Sequence, residues 1–360
     1  MKKEKIGILT IQNTVNFGAQ LQAFALQHYL TKKGYETEII NYSQENTKII
    51  TNLIFKLKIF IKSLLLNLNM YKIWKKMYNL SKEIYNDNNI STSNKKYDIF
   101  LVGSDQVWNP IFCKKSNTYL LDFTSKYKIS YAASFGVKNI EKKDFLRYKE
   151  FLSKLNYTSV REESGCNIYK KLTNKKSTLV VDPTFLLNKE DWSNYVDVNY
   201  NNNNNKYVLV YMLEYSKELI NIGKKYAKKN NLKYKIISGT PRAFYIKGVQ
   251  WNMSPQKFIK LFYNSDVVFT NSFHGTCFSL NFQKQVYIKL LEKNKKVNSR
   301  LTDLAKKMNI ENRILDGADI NNINAIKPID YKKVNKKLSD IIQISMDFLN
   351  DALEKYNYEE

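Results

Sequence analysis

Histidine is nearly absent from this 360-residue chain, which has only His28 and His274. Cysteine is also scarce, with three residues at Cys113, Cys166 and Cys277. None of them forms a Cys-x-x-Cys pair, and two histidines add little, so no zinc-ligand spacing is readable and no metal is expected. A sparse, odd cysteine count fits a reducing cytoplasm better than a disulfide framework. No run of about 18 apolar residues exists, so no transmembrane helix is expected. The first apolar run, Ile6–Ile11, is too short for the core of a signal peptide and reads as a strand. The glycines never fall into a G-x-G-x-x-G pattern, so a dinucleotide is not indicated.

Arginine is the most telling shortage. Of 58 basic residues only Arg147, Arg161, Arg242, Arg300 and Arg313 are arginine. The net charge of +25 invites a nucleic-acid reading, but the lysines are spread evenly among many asparagines. Base-reading surfaces rely on bidentate arginine, so no nucleic-acid partner is expected. A basic surface also suits an anionic lipid or a phosphorylated substrate. Where lysine is the default cation, each guanidinium is informative, because its planar fork grips carboxylate or phosphate at two points.

Strand-like and helix-like segments alternate along the chain. Strands are expected at 6–11, 36–41, 98–102, 129–133, 159–160 and 179–181, with helices at 19–33 and 141–156. The asparagine run Asn201–Asn205 marks a break. The alternation then restarts with strands at 207–213, 234–238, 266–270 and 285–289. Helices fall at 216–230, 255–264, 275–283 and 299–308, and a final amphipathic helix at about 331–356. Such alternation predicts an α/β fold with parallel sheets covered by helices. Two blocks imply two Rossmann-like domains facing a cleft. We place them at 1–198, with a helical insertion at 48–90, and at 206–330, followed by a C-terminal helix over 331–360. The stretch 48–85 is rich in Ile, Leu, Phe and Lys. It reads as a helical insertion packed on its own domain or as a basic, lipid-facing helix.

Parallel sheets bind ligands outside the carboxyl ends of their strands, and several loops there carry chemistry. The loop Asn13–Gln20 leads into the first helix. Gly18 permits close backbone approach, and Asn16 and Gln22 are polar candidates, although Asn16 also reads as an N-cap. Gly103-Ser-Asp-Gln-Val-Trp-Asn-Pro110 follows a buried strand. Trp108 is a candidate stacking platform for a sugar, with Asp105, Gln106 and Asn109 beside it. The alternative is a tryptophan packing the loop onto the core. Ser134, in Tyr131–Gly136, ends another strand and reads equally as site or tight packing. Arg161 follows a strand and precedes a helix. A pair with adjacent Glu162 is geometrically poor, which favours anion binding. Finally, Thr270–Thr276 places His274 at a helix start, whose free amides favour an anion. Ser272, Gly275, Thr276, Asn298 and Arg300 are candidates to share that anion. Histidine is the side chain whose ordinary pKa lets it exchange a proton near neutrality.

These loops together resemble the polysaccharide pyruvyl transferase family. The resemblance rests on Asn16-Phe-Gly-Ala with Gln22, Gly103–Trp108, Tyr131–Gly136, Val160–Ser164, Asp182-Pro183, Ser272-Phe-His-Gly275 and Asn298-Ser-Arg300. Their order and spacing over residues 6–310 are more specific than any one motif. The resemblance implies a glycosyltransferase-B type fold. It also implies transfer of pyruvate from phosphoenolpyruvate to sugar hydroxyls as a ketal, in cell-surface glycan synthesis. No further cofactor is expected. His274 and Arg161 match the family's catalytic histidine and arginine. Many members carry Arg-Leu-His where this chain has Ser272-Phe273-His274, and Arg300 is the candidate to supply the missing charge. In the expected mechanism His274 is the acid or orients the phosphate. Arg161 and Arg300 hold anionic groups on the donor side with Ser272, Gly275, Thr276 and Asn298. The acceptor, a sugar or lipid-linked glycan, meets Asn16, Gly18, Gln22, Asp105, Gln106, Trp108, Asn109 and Ser134. The expected location is cytoplasmic, with the inner membrane face within reach through 48–85. The rival readings are a nucleotide-sugar glycosyltransferase of the same fold and a non-catalytic basic glycan- or membrane-binding protein.

Overall fold

The computed structural model describes residues 4–12, 14, 16–44, 76–114, 116–196, 206–239, 246–250, 253–291, 298–315 and 322–356. Residues 48–75 of the expected insertion, the break at Asn201–Asn205, Asn13 and Arg242 lie outside them.

Among the described residues, the first sheet has seven strands, all parallel. They are β1 (Lys5–Leu9), β2 (Glu36–Tyr42), β3 (Leu80–Tyr85), β4 (Ile99–Val102), β5 (Tyr127–Ala133), β6 (Tyr157–Val160) and β7 (Thr178–Leu179), in the order β3-β2-β1-β4-β5-β6-β7. The second has five parallel strands, β8 (Tyr207–Met212), β9 (Lys233–Ser238), β10 (Val249–Gln250), β11 (Val267–Thr270) and β12 (Gln285–Ile288), in the order β10-β9-β8-β11-β12. The central strands β4, β5, β8 and β11 are buried along their whole length. Burial on both faces explains their continuous apolar runs. Helices connect them: α1 (Phe17–Lys32), α2 (Lys142–Leu152), α3 (Glu163–Thr173), α4 (Lys189–Val196), α5 (Lys217–Lys229), α6 (Pro255–Tyr263), α7 (Phe273–Asn281), α8 (Ser299–Lys307) and α9 (Tyr331–Glu354).

One expectation is corrected. The insertion is not helical throughout, because Leu80–Tyr85 pairs with β2 as an edge strand and Ile90–Lys95 is a short 3-10 helix. The polar Ser-Lys-Glu centre of β3 carries no strong strand pattern, and its pairing is set by contacts far away in the chain. The last helix, although it follows the second sheet, returns to the first. Ser345 Oγ accepts from Val181 N at 2.9 Å, and Phe348 and Tyr356 pack on Tyr131 and Tyr127.

Strand order reverses between β1 and β4 in the first sheet and between β8 and β11 in the second. A parallel sheet opens its ligand crevice at such a reversal, so the loops after β1, β4 and β11 border the crevices. The core is continuous between the sheets. Phe17 at the start of α1 stacks on Phe258 of α6, with centroids 5.1 Å apart. Burying one such ring contributes about 1.5–3 kcal/mol. Asn281 of α7 donates to the carbonyls of Thr184 and Leu187, both at 2.9 Å, tying the second half to the turn after β7.

Candidate active site

His274 occupies the second position of α7, immediately beyond β11. The helix is capped by Ser272, whose Oγ accepts from Gly275 N at 3.2 Å. This fixes the histidine's backbone and also occupies Ser272, so that side chain serves the cap. Thr276 Oγ1 donates to Ser272 O at 3.2 Å. Gly275 is packed so closely that a Cβ would meet Thr270 Oγ1 at 2.4 Å. Ser272, Gly275 and Thr276 therefore build the helix start that carries the histidine.

His274 is buried, with 4 % of its surface exposed. Its Nε2 lies 3.4 Å from Asp182 Oδ2, within ion-pair reach but without hydrogen-bond alignment. The same Asp182 oxygen accepts from Arg161 Nη1 at 2.6 Å. Its other oxygen accepts from Thr184 N and Thr184 Oγ1 at 3.0 and 2.8 Å. Arg161 follows β6 directly, and its Nη2 donates to Asp105 Oδ1 at 3.3 Å. Arg300, in the first turn of α8, brings Nη1 to 3.5 Å from that Asp105 oxygen. The Phe273 ring lies against both guanidiniums, 4.4 Å from Arg161 Cζ and 5.7 Å from Arg300 Cζ. Asp105 holds its position with a φ of +68°, a left-handed backbone uncommon outside glycine and enriched at functional sites. Gly103 just before it has a φ of +122°, and a Cβ there would meet Tyr131 O at 2.1 Å.

The site is thus a buried cluster of Asp105, Arg161, Glu162 and Asp182 from the first half and His274 and Arg300 from the second. Burial pushes the carboxyls of Asp105 and Asp182 up. Neighbouring groups outweigh it, Arg161 foremost for Asp105 and His274 and Arg161 for Asp182, and hold both below the usual carboxylate range. For Arg300, burial and the like charge of Arg161 lower its proton affinity. Withdrawing ions from water costs several kcal/mol each, so such a cluster is poor evidence of stabilisation. Charges gathered and perturbed inside a crevice point to function instead. The adjoining cavity is lined by Arg161, Glu162, Asp182, Phe273 and Arg300 among others, with about 30 Å³ open to water centres. That is space for one or two waters and too little for a sugar or phosphoester. Among the described residues, no three His, Cys, Asp or Glu side chains converge as metal ligands. Nor is any helix there long and apolar enough to cross a membrane.

The remaining candidates have other partners. Asn16 caps α1, accepting from Gly18 N and Ala19 N at 3.0 and 3.4 Å. Gln22 is fully buried and braces the first sheet's switch point: it donates to Thr10 Oγ1 at 2.9 Å and accepts from Ser104 N at 3.1 Å. Trp108 is corrected from platform to core. It is 0 % exposed, donates to Tyr119 O at 3.1 Å and packs on Phe135. Asn109 donates to Gln106 Oε1 at 2.7 Å and accepts from Ile111 N at 3.0 Å, closing the turn. Ser134 is buried and donates to Glu162 Oε1 at 2.8 Å. Asn298 pins the backbone of Leu291 through both its N and its O. Gly18 does belong at the centre, since a Cβ on it would fall 2.3 Å from the His274 ring. Two central residues carried no role in the sequence reading. Asp182 was signalled only by Asp-Pro after an apolar run, and Glu162 by its place beside Arg161.

The sequence model of the polysaccharide pyruvyl transferase family matches residues 16–288. No curated protein gives a significant match. Among solved structures, the UDP-GlcNAc 2-epimerase of Neisseria meningitidis is 11 % identical with a TM-score of 0.55, the alignment covering 98 % of this chain and 100 % of that one. A putative UDP-N-acetylglucosamine 2-epimerase from Listeria monocytogenes is 11 % identical, with TM-score 0.53 and coverages of 95 % and 91 %. The wall teichoic acid polymerase TagF is 10 % identical, with TM-score 0.51 and coverages of 100 % and 90 %. At such identities the likeness shows the fold, which is of the glycosyltransferase-B type.

Proposed function

The chain belongs to the polysaccharide pyruvyl transferase family and is a transferase, and we propose that it moves pyruvate from phosphoenolpyruvate onto two hydroxyls of a glycan as a ketal. The observation that carries this reading is the meeting of one imidazole and two guanidiniums, from both halves of the molecule, on the buried carboxylates Asp182 and Asp105, beside a cavity that the two guanidiniums line. Phosphoenolpyruvate presents a carboxylate and a phosphate, and each suits a planar cationic fork. In the arrangement described, Arg161 and Arg300 face Asp182 and Asp105. The donor therefore takes contacts that these carboxylates now hold, and the halves part to admit it. Arg300, over the Phe273 ring, supplies the positive charge that Ser272 does not. His274, beside Asp182, exchanges protons with the reacting groups. The acceptor, free or lipid-linked, approaches along the first sheet's loops, where Asn16 and Gln106 are half-exposed. The expected setting is cytoplasmic synthesis of a cell-surface polysaccharide.

The test is His274→Gln, assayed for phosphate release from phosphoenolpyruvate with a glycan acceptor that the wild-type chain uses. Loss of a group that transfers protons lowers kcat by about 10²–10⁴-fold. Near-normal turnover in the variant would remove His274 from the chemistry. Consumption of a nucleotide sugar in place of phosphoenolpyruvate would overturn the reading of the donor.

A further inference from the structure

Glu162 is the buried acid left without a role. It stands at the N-cap position of α3, yet its side chain makes no capping bond. The carboxyl turns inward instead. Oε1 accepts twice, from Ser134 Oγ at 2.8 Å and from Phe135 N at 3.1 Å. Among the described residues, buried Oε2 has no hydrogen-bond partner. The nearest cation atom among the described residues, Arg161 Nε, is 4.0 Å away and is itself without a hydrogen-bond partner among them, because Arg161 bonds Asp182 and Asp105 through its terminal nitrogens. Two unsatisfied buried polar atoms thus lie 4.0 Å apart, on two residues that line the same cavity as Arg300, Asp182 and Phe273. An orphaned buried group in a folded protein calls for an explanation such as catalysis. Burial raises the proton affinity of Glu162, against the pull of Arg161. Oε1 accepts both hydrogen bonds, so the oxygen free to carry a proton is Oε2.

We propose that Glu162, protonated on Oε2, is the acid that protonates the methylene carbon of the donor, leaving His274 to receive the acceptor's proton. This rests on the pyruvyl-transfer reading above. That reaction needs proton movements of both senses, and one histidine cannot supply both at once. The steps balance. The π pair of the C2–C3 bond takes the proton from Oε2 and forms the C3–H bond. An acceptor oxygen bonds to C2 and gives its proton to His274. The bond from C2 to the phosphate oxygen breaks, its pair leaving on phosphate, which takes the proton from His274. A second hydroxyl closes the ketal at C2 and returns its proton to Glu162. The products are the ketal and inorganic phosphate, and both side chains end as they began.

The experiment pairs Glu162→Gln with wild type. The amide oxygen can still accept from Ser134 and Phe135, so the fold is kept, while the acidic proton is lost. Expected results are a fall in kcat of about 10²-fold or more with little change in KM for phosphoenolpyruvate, and loss of the alkaline limb of the kcat profile. Glu162→Asp is expected to recover part of the rate. Independently of activity, infrared difference spectra at neutral pH should show a protonated carboxyl band in wild type that is missing in Glu162→Gln. Wild-type kcat and pH profile in Glu162→Gln, or no difference in that band, overturns the proposal while leaving the donor reading intact if His274→Gln is inactive. A wild-type chain that never consumes phosphoenolpyruvate overturns both.

Discussion

After β1 the chain turns through Asn16 into α1, and after β11 it turns through Ser272 into α7. Each turn follows a strand beside its sheet's reversal point, and each uses a side-chain oxygen to cap its helix. Both helices are buried over most of their length, unlike the amphipathic α5 and α9. The difference lies at the second helical position, where α7 has His274 and α1 has Gly18. A methyl group at Gly18 would overlap the imidazole. One half contributes the reactive group and the other contributes the space for it. A residue with no functional group is thus part of the site, because the histidine can approach Asp182 only if Gly18 stays bare.

The largest effect is expected where the two halves join through charge. Asp182→Ala leaves Arg161 buried without its shortest partner and His274 without its acid, and breaking a buried pair in this way costs about 3–5 kcal/mol. Urea unfolding measures it, and a loss under about 1 kcal/mol would mean that the cluster does not hold the halves together. The pH dependence has a definite sign. Asp105 and Asp182 have folded pKa values held below their unfolded ones, with burial outweighed by Arg161, His274 and Arg300. Their stabilisation is present above an unfolded value of about 4 and is lost as pH falls through the folded values. Glu162, raised chiefly by burial, acts oppositely: its contribution is present below the unfolded value and fades as pH rises through the folded one. Stability should therefore drop on acidification below about pH 4, and Asp182→Asn should flatten that drop. An unchanged acid limb in the variant would assign it elsewhere.

Gly18→Ala tests the bare position directly. In an ordinary exposed helix, glycine to alanine stabilises by about 1 kcal/mol. Here the added methyl would fall 2.3 Å from the ring of His274, and overpacking costs about 1–3 kcal/mol. The sign should invert, and turnover should fall with it because the imidazole must move. A variant that is more stable than wild type and fully active would show that the two helix starts are not in register with one another.

Much of this arrangement was legible in the sequence because it is local. The alternation of apolar strands and helices and the loops at strand ends follow from neighbours in the chain. His274, Arg161, Arg300 and Asp105 stood out by scarcity or placement, and the structure draws them together. What was not legible is set by distant partners. Trp108 reads as a sugar platform until the ring of Phe135 and the carbonyl of Tyr119 are seen to enclose it. Gln22 reads as a binding residue until Thr10 and Ser104 are found to take both ends of its amide. The edge strand β3 depends on pairing with β2 across a long intervening segment. Asp182 joins two residues that lie 21 and 92 positions away in the chain, and no local pattern encodes that.

The smallest effect separates the two caps. Asn16→Ala and Ser272→Ala each remove a side-chain acceptor from a helix start, typically worth about 1 kcal/mol. On stability alone the pair should look alike. On turnover they should not. Ser272 fixes the backbone that orients His274, so its loss should lower kcat several-fold beyond what the stability change explains. Asn16 supports a helix start whose nearby contribution is empty space, and its loss should leave kcat close to wild type. Equal kcat losses in the two variants would mean that both turns carry reacting groups, and the asymmetry between a filled and a vacant helix start would have to be abandoned.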